Sequence, residues 1–193
     1  MAGTNVLATS LENIGAVFHP ALTILNAGWI EATRGDFEYY LQGITPSVAK
    51  ILEKIDAERM AVARALGVRS VSAREWLYLS YDSPGADLYD AIRNTRSYAG
   101  IKAPAGINHR YIWEDVPMSL VPIASLGAQL GVETPMIDTV IDLGSVLLGT
   151  DFRATGRTVE SLGLAGMTVK EIRHVVAGVG GRSRARRPQG GRS

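Results

Sequence analysis

Cysteine is missing from this sequence of 193 residues. Its absence excludes disulfide bridges, thiolate metal sites and a cysteine nucleophile. Aromatic residues make up only 7% of the chain, so aliphatic side chains and alanine must fill most of the core of a sequence that is 46% hydrophobic. No apolar run reaches the roughly 18 residues of a membrane-spanning helix, and the first residues lack the basic segment of a signal peptide. These absences predict a cytoplasmic protein with no membrane contact.

Charge is nearly balanced over the whole chain but not along it. The net charge is +1, and residues 178–193 carry five arginines and no acid, which leaves a net charge of −4 (1 − 5) on residues 1–177. The Gly- and Arg-rich end is predicted to be a disordered tail. Arginines without interleaved aromatic residues make only non-specific, salt-sensitive contacts to nucleic acid, so nucleic-acid binding is not expected. Residues 1–177 are predicted to form one globular domain.

Helix signals dominate that domain. Its first helix is predicted to begin with Ser10 as N-cap, to be buried on most sides and to be kinked at Pro20, because proline removes a backbone donor. The second is bounded by Thr45 as N-cap and Gly67 after its end. Few segments alternate with period two, so the fold class is predicted to be all-α. The predicted helices span residues 10–33, 45–67, 72–80, 87–94, 114–130, 134–148 and 168–177.

Motifs for several common enzyme classes are missing as well. There is no G-x-G-x-x-G turn after a strand and no phosphate-binding P-loop. No H-x-x-x-H or cysteine cluster indicates zinc, and no G-x-S-x-G indicates a serine hydrolase. The residues alone therefore predict neither a nucleotide site nor a metal site within this chain.

Two features with chemical potential remain. His19 stands directly before Pro20 in the apolar segment 13–31, N-I-G-A-V-F-H-P-A-L-T-I-L-N-A-G-W-I-E. Taken alone, a single histidine on an apolar helix is more often a core residue than a catalytic one. The second feature is H-R-Y-I-W-E-D-V-P, residues 109–117, where a Gly/Pro-containing loop meets a helix. Such junctions often carry functional residues.

The polar residues of this second segment suit the binding of a carboxylate. Arg110 has a planar guanidinium group, and Glu114 and Asp115 are predicted in the first turn of the next helix, where the helix dipole favours negative charge. An arginine with two neighbouring acids is more often a structural ion pair. Together with His19, however, the segment has what the reduction of a keto acid C=O or C=N requires. A carboxylate orients an imidazole, the imidazole delivers a proton, and a guanidinium holds the substrate carboxylate.

Seven blocks of the sequence, taken together, form a specific pattern. They are N-I-G-A-V-F-H-P-A (13–21), L-N-A-G-W-I-E (25–31), G-I-T-P-S-V-A-K (43–50), D-A-E-R (56–59), H-R-Y-I-W-E-D-V-P-M-S-L-V-P (109–122), P-M-I-D (135–138) and D-F-R-A-T-G-R-T (151–158). In this order the blocks resemble the helical C-terminal domain of the octopine/nopaline (opine) dehydrogenase family, over about residues 5 to 175. The resemblance implies a multi-helix bundle like the C-terminal domain of 6-phosphogluconate-dehydrogenase-like two-domain dehydrogenases, formed by residues 1–177.

The resemblance also implies a reaction and the residues that perform it. In this family the amine of an amino acid condenses with an α-keto acid, and the imine is reduced with NADH or NADPH to a secondary-amine dicarboxylate. The histidine of F-H-P, here His19, is the proton donor and acceptor, and Asp115 is its orienting partner. Arg110 is implied to bind substrate carboxylate. Asn13 is a weaker candidate for substrate binding, since a polar residue at the start of this helix meets cofactor or substrate in related dehydrogenases.

One departure from the family leaves alternatives open. Family members carry an N-terminal Rossmann domain that binds the dinucleotide, and this sequence begins where that domain would end. We therefore expect the Rossmann domain to be absent from the chain, and the chain to be inactive without such a domain in cis or on a separate partner chain. A homodimer is also expected. The alternatives are a non-catalytic helical domain that dimerises or binds carboxylates, and nucleic-acid binding through the tail.

Overall fold

A computed structural model of the chain describes residues 6–177, and these residues form helices joined by turns and loops. Within this range there is no strand, only one isolated antiparallel bridge between Glu38 and Lys102. The all-α prediction is confirmed, and the predicted tail at 178–193 lies outside the described residues. The α-helices are α1 (Val6–Leu11), α2 (Gly15–Leu25), α3 (Ala27–Thr33), α4 (Pro46–Ala65), α5 (Ala73–Tyr81), α6 (Leu88–Asn94), α7 (Arg110–Trp113), α8 (Val121–Leu130), α9 (Pro135–Leu148), α10 (Phe152–Thr155) and α11 (Val169–Val176).

Helices with strong end signals have the predicted bounds. The side chain of Thr45 accepts a hydrogen bond from the backbone N–H of Val48 at the start of α4. Gly67 follows the helix with a φ of +65°, a conformation that glycine adopts without strain. Capping boxes begin α5 at Ser72 and α11 at Thr168. The three N-terminal ends are set by capping side chains, and the C-terminal end of α4 is followed by a glycine in the left-handed conformation.

The prediction of a single helix over 10–33 is wrong, while the kink predicted at Pro20 stays a prediction. The structure has three helices there, and the divisions fall at residues 12–14 and at Asn26, while α2 continues through Pro20. Ser10 lies inside α1 and is not an N-cap. Asn26 ends α2 because its side chain donates to the backbone oxygens of Leu22 (2.9 Å) and Gly43 (3.1 Å), in competition with the helix.

The helix predicted over 114–130 is also different in the structure. The first helical turn is α7, which starts at Arg110, and the segment Val116–Leu120 between α7 and α8 is a π-helical turn. Glu114 follows the last residue of α7 and Asp115 precedes the π turn. Asp115 is the first residue of a helical run that continues through the π turn and α8 to Leu130, so the predicted helix start at about residue 114 is confirmed, whereas the π turn within it was not predicted.

The core is built around α2 and α4. Eight of the eleven residues of α2 are buried, in agreement with the prediction that this segment is buried on most sides. Helix α2 packs against α4, α7 and α9, and α4 packs against α8 and α9. Aliphatic burial of this extent is the main favourable contribution to folding. No helix within residues 6–177 is long and apolar enough to cross a membrane.

Candidate active site

A histidine and a carboxylate meet where α2 passes the π turn. His19 Nδ1 lies 2.9 Å from Asp115 Oδ2, and the two side chains are 24% and 14% exposed. They are 96 positions apart in sequence. The contact is short enough for a hydrogen bond, and the partial exposure leaves part of the imidazole within reach of a small molecule. The structure therefore brings together the two residues that were predicted to form a proton-transfer pair.

Asn13 also lies at this pair. Its side-chain amide nitrogen is 3.4 Å from Asp115 Oδ1 and 3.0 Å from Ser119 Oγ. The amide thus donates toward the carboxylate oxygen that His19 does not use. Ser119 lies in the π turn and had not been predicted. Within these contacts Asn13 orients the carboxylate, and its side chain is exposed.

Aromatic side chains contact one face of His19 and its second ring nitrogen. The Tyr111 ring stacks on the imidazole at a centroid distance of 4.1 Å and an angle of 18°. The Tyr40 hydroxyl lies 3.1 Å from His19 Nε2. Tyr39 stacks on the Tyr111 ring at 5.2 Å, and all three tyrosines are fully or partly buried. Both ring nitrogens and one face of the imidazole are therefore in contact with the protein.

The backbone of α2 holds His19 at this depth. Thr23 Oγ1 lies 2.7 Å and the Tyr39 hydroxyl 2.9 Å from the carbonyl oxygen of His19, and the two hydroxyls are 2.7 Å apart. Gly15 permits the imidazole to lie against the preceding helical turn. A Cβ at this position would lie 3.0 Å from Cε1 and 3.1 Å from Nδ1 of His19, closer than side chains normally approach.

The π turn places Asp115 opposite α2, and two prolines explain why the turn forms. Pro117 and Pro122 cannot donate backbone hydrogen bonds, and the N–H of Val121 bonds to the oxygen of Val116, five residues back. The oxygen of Pro117 accepts instead from the backbone N–H of Arg157 at 2.9 Å. This contact joins the D-F-R-A-T-G-R-T segment to the site.

Glycine at position 156 makes that contact possible. A Cβ on Gly156 would lie 2.6 Å from the oxygen of Phe152 and 2.9 Å from the oxygen of Pro117. Backbone oxygens cannot move aside as the end of a flexible side chain can. A larger residue at this position would therefore push the chain away from the π turn that carries Asp115.

Arg110 is not joined to this cluster. Its guanidinium forms an ion pair with Glu114 at 2.9 Å, and the two side chains are 68% and 59% exposed. The pair spans one turn at the surface of α7, which is the structural ion pair that the sequence left open as an alternative. No hydrogen bond joins Arg110 to His19 or Asp115 among the described residues. Its role as a substrate ligand stays a prediction.

His109 is a second imidazole near the site. It is the N-cap of α7 and accepts a hydrogen bond from the backbone N–H of Tyr111 at 3.4 Å. Its ring lies edge-on to the Tyr111 ring at 4.4 Å. Partial burial, together with the nearby positive groups of Arg110 and His19, lowers the pKa of His109 below its ordinary value of 6.5.

The lowered pKa of His109 predicts a pH-dependent stability. A base with a lower pKa in the folded state binds protons more weakly than in the unfolded chain, so its contribution to stability is complete above pH 6.5 and is lost as the pH falls toward the folded pKa. Asparagine can accept the Tyr111 N–H without titrating. We expect His109→Asn to lose less unfolding free energy than the wild-type chain between pH 7.5 and 5, measured by urea denaturation. Equal losses would contradict the assignment, and His174→Asn, at an exposed site on α11, is the matched control.

The arrangement can transfer a proton. Asp115 accepts hydrogen bonds and fixes which nitrogen of His19 carries the hydrogen, and an imidazole can both give and take a proton. Within residues 6–177 no group of three His, Asp or Glu side chains is placed to hold a metal ion. The chemistry that the described residues support is therefore acid–base chemistry at the imidazole.

The fold matches that of octopine dehydrogenase over about half of that chain. The chain superimposes on octopine dehydrogenase in complex with NADH and agmatine with a TM-score of 0.68 at 23% identity, over 92% of this chain and 50% of that one. Octopine dehydrogenase with NADH and pyruvate gives a TM-score of 0.61 at 22% identity, over 88% and 47%.

The chain belongs to the octopine/nopaline dehydrogenase family. The family described as "NAD/NADP octopine/nopaline dehydrogenase, alpha-helical domain" matches residues 2–148. An opine dehydrogenase of Arthrobacter sp. (strain 1C) is 48% identical over 176 residues, which are 91% of this chain and 49% of that protein. The chain thus spans about half the length of the relatives it matches, and the family resemblance inferred from the sequence is confirmed.

Proposed function

We propose that this chain is the substrate-binding and catalytic domain of an NAD(P)H-dependent opine dehydrogenase. In the reaction, the amine of an amino acid adds to the carbonyl carbon of an α-keto acid and water leaves. The resulting imine gains a hydride at carbon and a proton at nitrogen to give a secondary amine with two carboxylates. The observation that carries the proposal is the 2.9 Å contact between His19 and Asp115 in a chain of this family.

His19 is the proton-transfer residue in this proposal. Asp115 accepts the Nδ1 hydrogen and thereby stabilises the imidazolium, so that the ring can hold a proton and release it to the oxygen that leaves as water or to the imine nitrogen. Asn13 donates to the other oxygen of Asp115 and restricts its rotation. The partly buried position strengthens these interactions relative to water.

Arg110 is the residue we assign to substrate carboxylate binding. Its ion pair with Glu114 is exposed at both ends. Such pairs are worth about 0–1 kcal/mol, so a substrate carboxylate can replace Glu114 at little cost. A guanidinium binds a carboxylate through two parallel hydrogen bonds, which would also fix the orientation of the substrate.

The dinucleotide would supply the hydride when it is bound. Residues 6–177 contain no strand–glycine turn–helix unit of the kind that holds a pyrophosphate. We therefore assign no contact with the dinucleotide to this chain, and propose that another domain, in cis or on a separate chain, binds NADH or NADPH. A homodimer remains a prediction.

A chimera tests the proposal directly. This chain would replace the matched half of the Arthrobacter opine dehydrogenase, to which it is 48% identical. We expect oxidation of NADH or NADPH that requires an α-keto acid and an amino acid together, followed by absorbance at 340 nm, with the secondary-amine product identified by mass. The chain by itself is the control and is expected to show no oxidation. A folded chimera that binds the dinucleotide but gives no oxidation with any keto acid and amino acid pair would favour the non-catalytic alternative.

A further inference from the structure

Both ring nitrogens of His19 are bonded to the protein, and the second bond has no place in the reaction described above. Nδ1 faces Asp115 at 2.9 Å, and Nε2 faces the Tyr40 hydroxyl at 3.1 Å. Tyr40 is only 7% exposed, so its hydrogen bond to Nε2 is formed by a buried side chain rather than by a mobile surface group. No pattern in the sequence indicates a role for Tyr40, which lies in the turns between α3 and α4.

The direction of the two hydrogen bonds follows from the groups involved. The Asp115 carboxylate only accepts, so the neutral imidazole carries its hydrogen on Nδ1 and has a lone pair on Nε2. The Tyr40 hydroxyl must then donate to Nε2. Burial raises the pKa of Tyr40 above its ordinary range, so the phenol keeps its hydrogen near neutral pH.

Two neighbouring rings hold Tyr40 in place. Its ring stacks on Tyr98 at 4.1 Å and meets the edge of the Tyr39 ring at 5.1 Å. Among residues 6–177 the hydrogen-bond partner of its hydroxyl is His19 Nε2. A hydroxyl held by two packed rings can fix the position of the group to which it bonds.

We propose that Tyr40 is a positioning residue for His19. Its hydroxyl donates to Nε2 when the imidazole is neutral, and when Nε2 is protonated the hydroxyl oxygen shares the Nε2–H with the substrate atom that exchanges the proton. The ring thereby keeps one plane through a cycle of proton transfer, while Asp115 keeps the other hydrogen on Nδ1. With Asp115 on Nδ1 and Tyr111 on one face, this third contact fixes the rotation of the imidazole. The kinetic part of this inference rests on the proposed function, whereas the hydrogen bond itself does not.

Nuclear magnetic resonance of the chain alone tests the hydrogen bond. With ¹⁵N-labelled histidine, Tyr40→Phe is expected to move the Nε2 signal of neutral His19 downfield, because that nitrogen loses its donor. Tyr98→Phe is the matched control, since it removes a hydroxyl from the other ring of the same stack and touches no histidine. In the wild-type chain the Tyr40 hydroxyl hydrogen should also give a nuclear Overhauser effect to the His19 ring, which requires no variant. An unchanged Nε2 signal in folded Tyr40→Phe, or the lack of that effect in wild type, would overturn the inference.

Kinetics of the chimera test the positioning role. Loss of one neutral hydrogen bond is expected to lower kcat about 3- to 10-fold with KM unchanged in Tyr40→Phe, and to have no such effect in Tyr98→Phe. Equal losses in the two variants would show that Tyr40 only packs, and would overturn the positioning role. If the wild-type chimera shows no turnover, the proposed function fails while the magnetic resonance result still decides whether the hydrogen bond exists.

Discussion

Replacing Asp115 by asparagine in the chimera is expected to lower kcat by about 10²- to 10⁴-fold, the range that acid–base catalysis contributes. The amide has nearly the shape of the carboxylate, so the contact with Asn13 can remain. Its NH₂ group, however, can donate to Nδ1 of His19 and favour the opposite tautomer, with the hydrogen on Nε2. The substitution also removes the negative charge that stabilises the imidazolium. The measurement is kcat from NADH oxidation at saturating keto acid and amino acid.

The double variant shows whether the two residues act as one unit. His19→Ala removes the proton donor itself and is expected to lose at least as much activity as Asp115→Asn. If Asp115 acts only through His19, adding Asp115→Asn to His19→Ala should cost nothing further. His174→Ala, at an exposed histidine of α11, is the matched control and should retain full activity. Independent, multiplying losses from the two substitutions would refute the pairing as a catalytic unit, even though the side chains touch.

Local sequence signals predicted the parts of the fold that local interactions determine. Helix α4 ends before Gly67 because glycine adopts a positive φ without strain. It begins after Thr45 because the threonine hydroxyl accepts a backbone N–H of the first turn. The same is true of the capping box at Thr168. The break at Asn26 could not be predicted in this way, because one of its two acceptors is the oxygen of Gly43, 17 positions away.

The π turn was unpredictable for the same reason. Its proline pair is visible in the sequence, but the oxygen of Pro117 is satisfied by the N–H of Arg157, from a segment 40 positions later (157 − 117). From the sequence alone, Pro117 indicates only the start of a helix and gives no sign of a π turn.

Some contacts of the candidate site could be predicted from the sequence, and others result only from the packing of the helices. The pairing of His19 with Asp115 was predicted from the family pattern, since a separation of 96 positions carries no spatial information. Tyr40 and Tyr111 had no such signal, because aromatic residues near helix ends are usually core residues. Their contacts with the imidazole arise from the packing of α2 against α7 and the turn after α3.

The other large predicted effect is on stability, and it concerns a buried arginine next to the core. Arg59 in α4 is 1% exposed. Its Nε and Nη2 lie 3.0 and 2.6 Å from Asp56 Oδ1, and the other oxygen of Asp56 accepts from the backbone N–H of Ala73 at 2.8 Å. The guanidinium also donates to the backbone oxygen of Leu11, to Ser70 Oγ at 2.7 Å and to the oxygen of Val71 at 2.7 Å. One side chain thus joins α1, α4 and the segment before α5.

Arg59→Ala is expected to lower the free energy of unfolding of the chain by about 3–5 kcal/mol, because it leaves the Asp56 charge buried without its partner. Urea denaturation of the chain measures the change. Arg64→Ala, at an exposed arginine of the same helix, is the matched control and should change stability by about 0.5 kcal/mol or less. Similar small losses in both variants would show that the network of Arg59 contributes little to the free energy of unfolding, because water could take the place of the guanidinium.

Arg59→Lys separates the geometry of the network from its charge. Lysine restores a positive charge beside Asp56, but a single ammonium cannot reach the oxygens of both Leu11 and Val71 as the guanidinium fork does. We therefore expect Arg59→Lys to retain only a minor part of the stability lost in Arg59→Ala. Leu11 lies two positions before Asn13. Loss of the hydrogen bond from Arg59 to the Leu11 oxygen should therefore also make the turn that holds Asn13 against Asp115 more mobile. Full recovery of stability with lysine would mean that charge neutralisation, not the fork, holds α1 to α4.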